Sequence, residues 1–202
     1  MADTQTKRKG WAAPLAGLLA LGGLAAVIYV SAQALTKPES GGYAQFAAGA
    51  LAKLAVLEAP PPQPDLPIFN AQGEQTALAA LPGRVRLVNV WATWCAPCLH
   101  EMPTLAALQQ EFGAKGLYVA AVNVDGAEKL ELAVEMLGNL GQGRLDFYVD
   151  PSLSMPVRLN APGLPISVLY DAQGRELARL MGGADWSSPE AKALIERALQ
   201  ES

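Results

Sequence analysis

The chain has 202 residues, enough for one ordinary domain of roughly 100–200 residues and a short extension. Its 15 basic and 19 acidic residues give a net charge of −4. Three of the basic residues (Lys7, Arg8, Lys9) sit at the extreme start, so no basic stripe is left for a nucleic-acid binder. Hydrophobic residues make up 51% and charged residues 17%, too apolar for a disordered chain.

The apolar excess is concentrated at the beginning. From Gly10 to Thr36 no residue is charged, and Trp11 to Val30 supplies 20 mostly apolar positions, enough to cross ~30 Å of hydrocarbon. The expected organisation is a short N-terminus (1–10) and a transmembrane signal-anchor (11–35). Lys7-Arg8-Lys9 precede the span while Lys37 and Glu39 cancel behind it, so the N-terminus stays cytoplasmic and the rest is exported. Ala32-Gln33-Ala34 also fits a signal-peptidase site. A cleavable apolar region runs only about 7–15 residues, however, which favours the uncleaved anchor.

Residues 36–64 read as a helix and a Pro-rich spacer. Tyr43, Phe46, Ala47, Ala50, Leu51, Leu54 and Leu57 recur at i, i+3, i+4 spacing, which predicts a helix over 43–58. Lys53 is its one cation, so the helix is expected to dock on its own domain rather than on a membrane surface. Pro60-Pro61-Pro62 and Pro64 end it in a stiff extended stretch.

Residues 65–202 form the main domain. Leu66 to Phe69 and the turn Asn70-Ala71-Gln72-Gly73 predict a hairpin, Val85 to Trp91 a strand, and a helix follows Cys95. Leu117 to Val124, bounded by glycine and Asp125-Gly126, reads as a fully buried central strand. A helix at 127–138, a strand at 145–149, a short helix at 152–159, strands at 166–170 and 175–181, and a helix at 188–200 complete the pattern. Gly141-Gln142-Gly143 lacks the GxGxxG frame of a phosphate loop and reads as a plain turn. Alternating strands and helices closed by a hairpin and a helix imply an α/β domain with a mixed central sheet flanked by helices.

The only cysteines, Cys95 and Cys98, stand in Trp94-Cys95-Ala96-Pro97-Cys98, after a strand and at the opening of a helix. A disulfide closing so short a loop restricts the unfolded chain little, so a purely structural role is poorly motivated. At the first turn of a helix, unpaired N–H groups and the positive dipole end favour the thiolate of Cys95, the nucleophile of disulfide exchange. Cys98, one turn on, can resolve a mixed disulfide formed on Cys95. Structural zinc needs four protein ligands. The single histidine, His100, is two residues beyond Cys98 and on another helix face, so it reads as a solvated residue or a partner contact, and no metal or cofactor is expected.

Val90-Trp91-Ala92-Thr93-Trp94-Cys95-Ala96-Pro97-Cys98 followed by Glu101-Met102-Pro103 resembles the TlpA/ResA/CcmG-type thiol:disulfide interchange proteins, with the TlpA branch nearest. The likeness covers roughly residues 60–200. It implies a thioredoxin fold with an N-terminal hairpin and a central insertion, anchored in the bacterial inner membrane with its catalytic domain in the periplasm. In that family the buried aspartate of thioredoxins is commonly absent; here its position holds Asn89, and Glu101 is the expected substitute. One helical turn from Cys98, that carboxylate would raise the thiol pKa and relay a proton. An exposed helix glutamate is the plainer alternative. Pro103 is expected to kink its helix.

Gly163-Leu164-Pro165 resembles the cis-proline loop that faces the disulfide in thioredoxin folds, with Pro165 as the cis residue and Pro162 the weaker candidate. Leu164 would then offer its backbone to a substrate peptide. Ile166 stands where relatives often carry threonine. Trp94, Ala96, Pro97, Leu164 and Pro165 are therefore the expected substrate contacts. The Ala96-Pro97 dipeptide is closer to the Gly-Pro of reducing thioredoxins than to a His-containing oxidant, which points to a reductant. The resemblance implies a transmembrane thiol donor of CcdA/DsbD type. It implies protein substrates of two kinds: a copper chaperone or the copper-site subunit of cytochrome oxidase, or apocytochrome c. A copper chaperone using the thiolates directly, and a disulfide-forming oxidase, are the remaining alternatives.

Overall fold

The computed structural model describes residues 41–202. The expected cytoplasmic N-terminus and membrane span (1–10 and 11–35) lie outside the described residues. Among the described residues, no helix is long and apolar enough to cross a membrane.

Eight strands follow in chain order: β1 (Leu54–Ala55), β2 (Pro67–Asn70), β3 (Gln75–Ala77), β4 (Val85–Trp91), β5 (Leu117–Asn123), β6 (Asp146–Val149), β7 (Ile166–Asp171) and β8 (Glu176–Met181). They make one sheet in the order β1-β8-β7-β4-β5-β6-β2-β3. Its centre is parallel, with β4 beside β5 from Val85↔Leu117 to Trp91↔Asn123, and β6 parallel to β5. Antiparallel β7 borders β4 on the other side. β4 is buried at all seven positions, as its near-continuous apolar run requires of a strand covered on both faces.

The two faces are covered differently. Along β4, side chains alternate between them. Val85, Leu87 and Trp91 enter a core shared with Leu105, Leu108 and Phe112 of α1 (Ala96–Phe112), Ala133 and Leu137 of α2 (Leu130–Leu140), and Leu194, Ile195 and Ala198 of α3 (Pro189–Glu201). Val88 and Val90 point the other way, against Ile68, Leu78, Met155 and Val168. Asn89, by the same alternation, faces the helices. This is the mixed-sheet α/β architecture expected, with the N-terminal hairpin realised as β2–β3 and the central insertion as α2 and β6.

The helix expected over 43–58 does not form. Residues Gly41–Ala44 make one helical turn and Gly49–Leu51 a 3-10 turn, after which the chain extends as β1. Gly49 adopts φ +50, and a Cβ there would collide with the Glu190 side chain. The chain is thus broken in a conformation that glycine tolerates. Beyond it, the edge of β8 offers unpaired backbone groups, which β1 takes up through Leu54↔Leu180 and Ala55↔Arg179. The apolar spacing did report burial, since Tyr43, Leu51 and Leu54 are core residues; only the backbone that achieves it is different. The short helix expected at 152–159 likewise contracts to the turn Met155–Arg158. The Asp150 carboxyl oxygens accept from Ser152 N at 2.9 Å and Met155 N at 2.7 Å, holding the approach to that turn in a loop.

Candidate active site

Chemistry-bearing residues gather at the carboxyl ends of β4 and β5. After Trp91 the chain turns, with Cys95 N donating to Ala92 O at 3.1 Å, and α1 begins at Ala96 with Cys95 as its N-cap. Pro97, in the first turn, gives up no hydrogen bond there, because the first N–H groups of a helix have no intrahelical partner. Cys95 and Cys98 are joined as a disulfide with their Cα atoms 5.3 Å apart. Cys95 retains 3% of its surface and Cys98 none, so Cys95 is the sulfur an incoming partner can reach. Around them Trp94 stands 65% exposed, and Ala96, Pro97 and His100 are exposed as well.

The Leu164-Pro165 peptide is cis and Pro162 is not. Ile166 pairs with Val90, so Pro165, one residue earlier, lies at the end of β4 from which Cys95 departs. Leu164, half-buried, packs against the core cluster containing both cysteines. The strand–helix junction and the cis-proline loop thus meet at one end of the sheet.

Glu101 is 1% exposed, which removes the alternative of a solvated helix glutamate. Three donors surround it. Asn89 Nδ2 donates to Oε1 at 2.7 Å, while Ala184 N and Trp186 Nε1 donate to Oε2 at 3.0 and 3.1 Å. Burial dominates its acidity. Loss of water raises its pKa from 4.5 to about 7, against the hydrogen bonds from Ala184, Asn89 and Trp186, which favour the charged form and pull it back down. Asn89 also donates to Ser167 Oγ at 2.9 Å, and its own Oδ1 has no partner. The helix continues through Pro103 to Phe112.

Several residues around the site went unread in the sequence. Trp186 is fully buried, and its backbone N donates to Thr104 Oγ1 at 3.0 Å, so the segment between β8 and α3 is bound to α1 at both Glu101 and Thr104. A lone tryptophan after Gly182-Gly183 was the available signal. Gly183 runs against the cysteine turn, since a Cβ there would lie 3.1 Å from Pro97 O. Asp125, read only as the end of a strand, is 3% exposed and accepts a hydrogen bond from Thr93 N at 2.7 Å. Its position at the carboxyl end of a parallel strand, where sites in α/β sheets lie, was the missed clue. Among the described residues, no group of three or more His, Cys, Asp or Glu could hold a metal ion.

The arrangement is equipped for thiol–disulfide exchange: one reachable sulfur at a helix start, a second sulfur covered behind it, and a carboxyl that titrates near neutrality one turn on. Comparison with known proteins agrees. A family model described as Redoxin matches residues 56–197. The thioredoxin-like protein YneN of Bacillus subtilis (strain 168) is 33% identical over 111 residues, 55% of this chain and 64% of that protein. The thiol:disulfide interchange protein HelX of Rhodobacter capsulatus is 33% identical over 100 residues, 50% of this chain and 53% of that protein. The chain thus spans between about half and two thirds of the length of these relatives. A crystal structure from Chlorobium tepidum assigned as a thiol:disulfide interchange protein DsbE superposes with a TM-score of 0.61 at 28% identity, covering 69% of this chain and 96% of that one.

Proposed function

We propose a function from one premise: the chain belongs to the Redoxin family, in its thiol:disulfide interchange branch of TlpA/ResA/CcmG type. The protein is a thiol:disulfide oxidoreductase that reduces disulfides in specific protein partners. The observation that carries this reading is the bonded Cys95–Cys98 pair at the start of α1, at the sheet end that also holds the cis Leu164-Pro165 peptide.

In the reduced protein the Cys95 thiolate attacks one sulfur of the partner's disulfide. A Cys95–partner mixed disulfide forms, and the partner's other sulfur leaves as a thiolate that takes up a proton. Cys98 then attacks Cys95 Sγ, so that the Cys95–Cys98 bond forms, the mixed disulfide breaks and the second partner thiol departs. Two electrons pass to the partner, leaving the bonded pair seen here. Glu101, with a pKa about 7, accepts the Cys98 proton during the second attack. Trp94, Ala96, Pro97 and Leu164 form the contact surface, with the Leu164 backbone pairing with an extended partner segment.

The uncharged run from Gly10 to Thr36 behind Lys7-Arg8-Lys9 supports a single inner-membrane span with the N-terminus cytoplasmic and residues 65–202 periplasmic. There the pair is recharged by a transmembrane thiol donor of CcdA/DsbD type. The substrates in this reading are the cysteine pairs of copper-site proteins in cytochrome oxidase assembly. Trapping tests it. The full chain carrying Cys98→Ser, expressed in cells, should accumulate mixed disulfides through Cys95 with copper-site proteins, and the double variant Cys95→Ser/Cys98→Ser should trap nothing. Apocytochrome c in the trapped fraction would transfer the role to cytochrome c maturation, and trapping that survives Cys95→Ser would overturn the assignment of the two sulfurs.

A further inference from the structure

One buried acidic side chain has no part in the exchange scheme. Asp125 lies two residues beyond β5, 3% exposed, beside Asn123 at 1%. Its Oδ2 accepts from Thr93 N at 2.7 Å and from Asn123 Nδ2 at 2.9 Å, its Oδ1 accepts from Thr93 Oγ1 at 3.2 Å, and its own N donates to Asn123 Oδ1 at 2.9 Å. Four hydrogen bonds therefore converge on one side chain and its immediate backbone. Two of them land on a single residue, Thr93.

Thr93 occupies a sensitive place. β4 and β5 stay paired until Val124 N donates to Trp91 O at 2.9 Å, after which the two chains separate. Ala92 to Cys95 then form the turn closed by Cys95 N on Ala92 O. Thr93 is the first residue inside that turn, and the turn delivers Cys95 to the N-cap of α1. In the oxidised protein the disulfide also restrains the turn, because it ties Cys95 to Cys98. Once the pair is reduced, that tie is gone.

We propose that Asp125 is a positioning residue for the exchange reaction: through Thr93 it holds the Ala92–Cys95 turn so that, in the reduced protein, Cys95 Sγ stays at the start of α1 and within reach of Cys98. This rests on the oxidoreductase reading above. Intramolecular closure of the pair depends on how much of the time the two sulfurs stand in attacking geometry, an effective-concentration effect. Loosening the turn lowers that fraction in the reduced state alone, so it weakens disulfide formation against an external thiol. A hydrogen-bonding role confined to stability would destabilise the oxidised and reduced forms equally and leave that equilibrium untouched.

The test uses Asp125→Ala, which removes both oxygens that accept from Thr93 N, Thr93 Oγ1 and Asn123 Nδ2. With the full chain equilibrated in glutathione redox buffers, the equilibrium constant for forming the Cys95–Cys98 bond should fall severalfold, because only the reduced protein depends on Asp125 to keep the two sulfurs together. Reduction of insulin should slow alongside. Thermal unfolding is recorded in parallel. A lower melting temperature with an unchanged glutathione equilibrium would overturn the proposal. If Asp125→Ala fails to fold, Thr93→Val and Thr93→Ser decide it: Val, lacking Oγ1, should weaken the equilibrium and Ser should keep it near the wild-type value, and equal values for the two would refute the assignment. The glutathione equilibrium does not require a protein substrate, so a wild-type protein inert toward insulin would count against the reductase reading while leaving this test intact.

Discussion

Replacing Glu101 by glutamine isolates the electrostatic cost of the buried carboxyl. In the folded protein Glu101 keeps its proton up to about pH 7, whereas at its ordinary value of 4.5, taken for the unfolded chain, the proton is already lost. Between those values the folded state holds more protons than the unfolded state, so stability falls as pH rises from about 4.5 through 7. At about 1.4 kcal/mol per pH unit, the loss amounts to about 3 kcal/mol across the window. Glutamine removes the titration. Its carbonyl can accept from Ala184 N and Trp186 Nε1 as Oε2 does, while its amide replaces the oxygen that accepts from Asn89 Nδ2, a loss that does not vary with pH. Urea unfolding of the oxidised protein between pH 5 and 8 reads the effect. Wild type should lose stability as pH rises while Glu101→Gln stays level, so that the variant gains on wild type by an amount of order 3 kcal/mol at the upper end. Two curves that run parallel across this range would refute a buried, neutral-titrating Glu101.

Trp186→Phe keeps the packing but removes the indole N–H that favours the charged form of Glu101. The same urea titrations should show the window of stability loss extending above that of wild type, and an unmoved upper limit would mean that Trp186 does not tune the carboxyl. The direction of electron flow is checked by equilibration with dithiothreitol. The pair should equilibrate below about −200 mV, nearer thioredoxin than DsbA, and a value near about −120 mV would make the protein an oxidant.

The parts of this protein legible in the sequence are those whose cause is local. Val85 to Trp91 and Leu117 to Asn123 are central strands because near-continuous apolar runs are hidden between two covered faces. The placement of Cys95 and Cys98 follows from a strand ending four residues before a helix. Pro165 was identified through resemblance, and its cis peptide is present. Tertiary structure decided the rest. Residues 43–58 have helical spacing, yet a free strand edge at β8 and the left-handed turn at Gly49 make them a broken segment ending in β1. Glu101 carries no local mark of burial. Burial raises its pKa, and the donors that oppose that rise are Asn89, twelve residues upstream, and Ala184 and Trp186, more than eighty residues downstream, so no window of sequence contains all of them. Asp125 and Thr93, separated by 32 residues, meet because β4 and β5 run parallel in register, so the chain that leaves one strand passes the chain that leaves the other. Period and composition record which residues avoid water; which polar groups satisfy one another once water is gone depends on the pairing of distant strands.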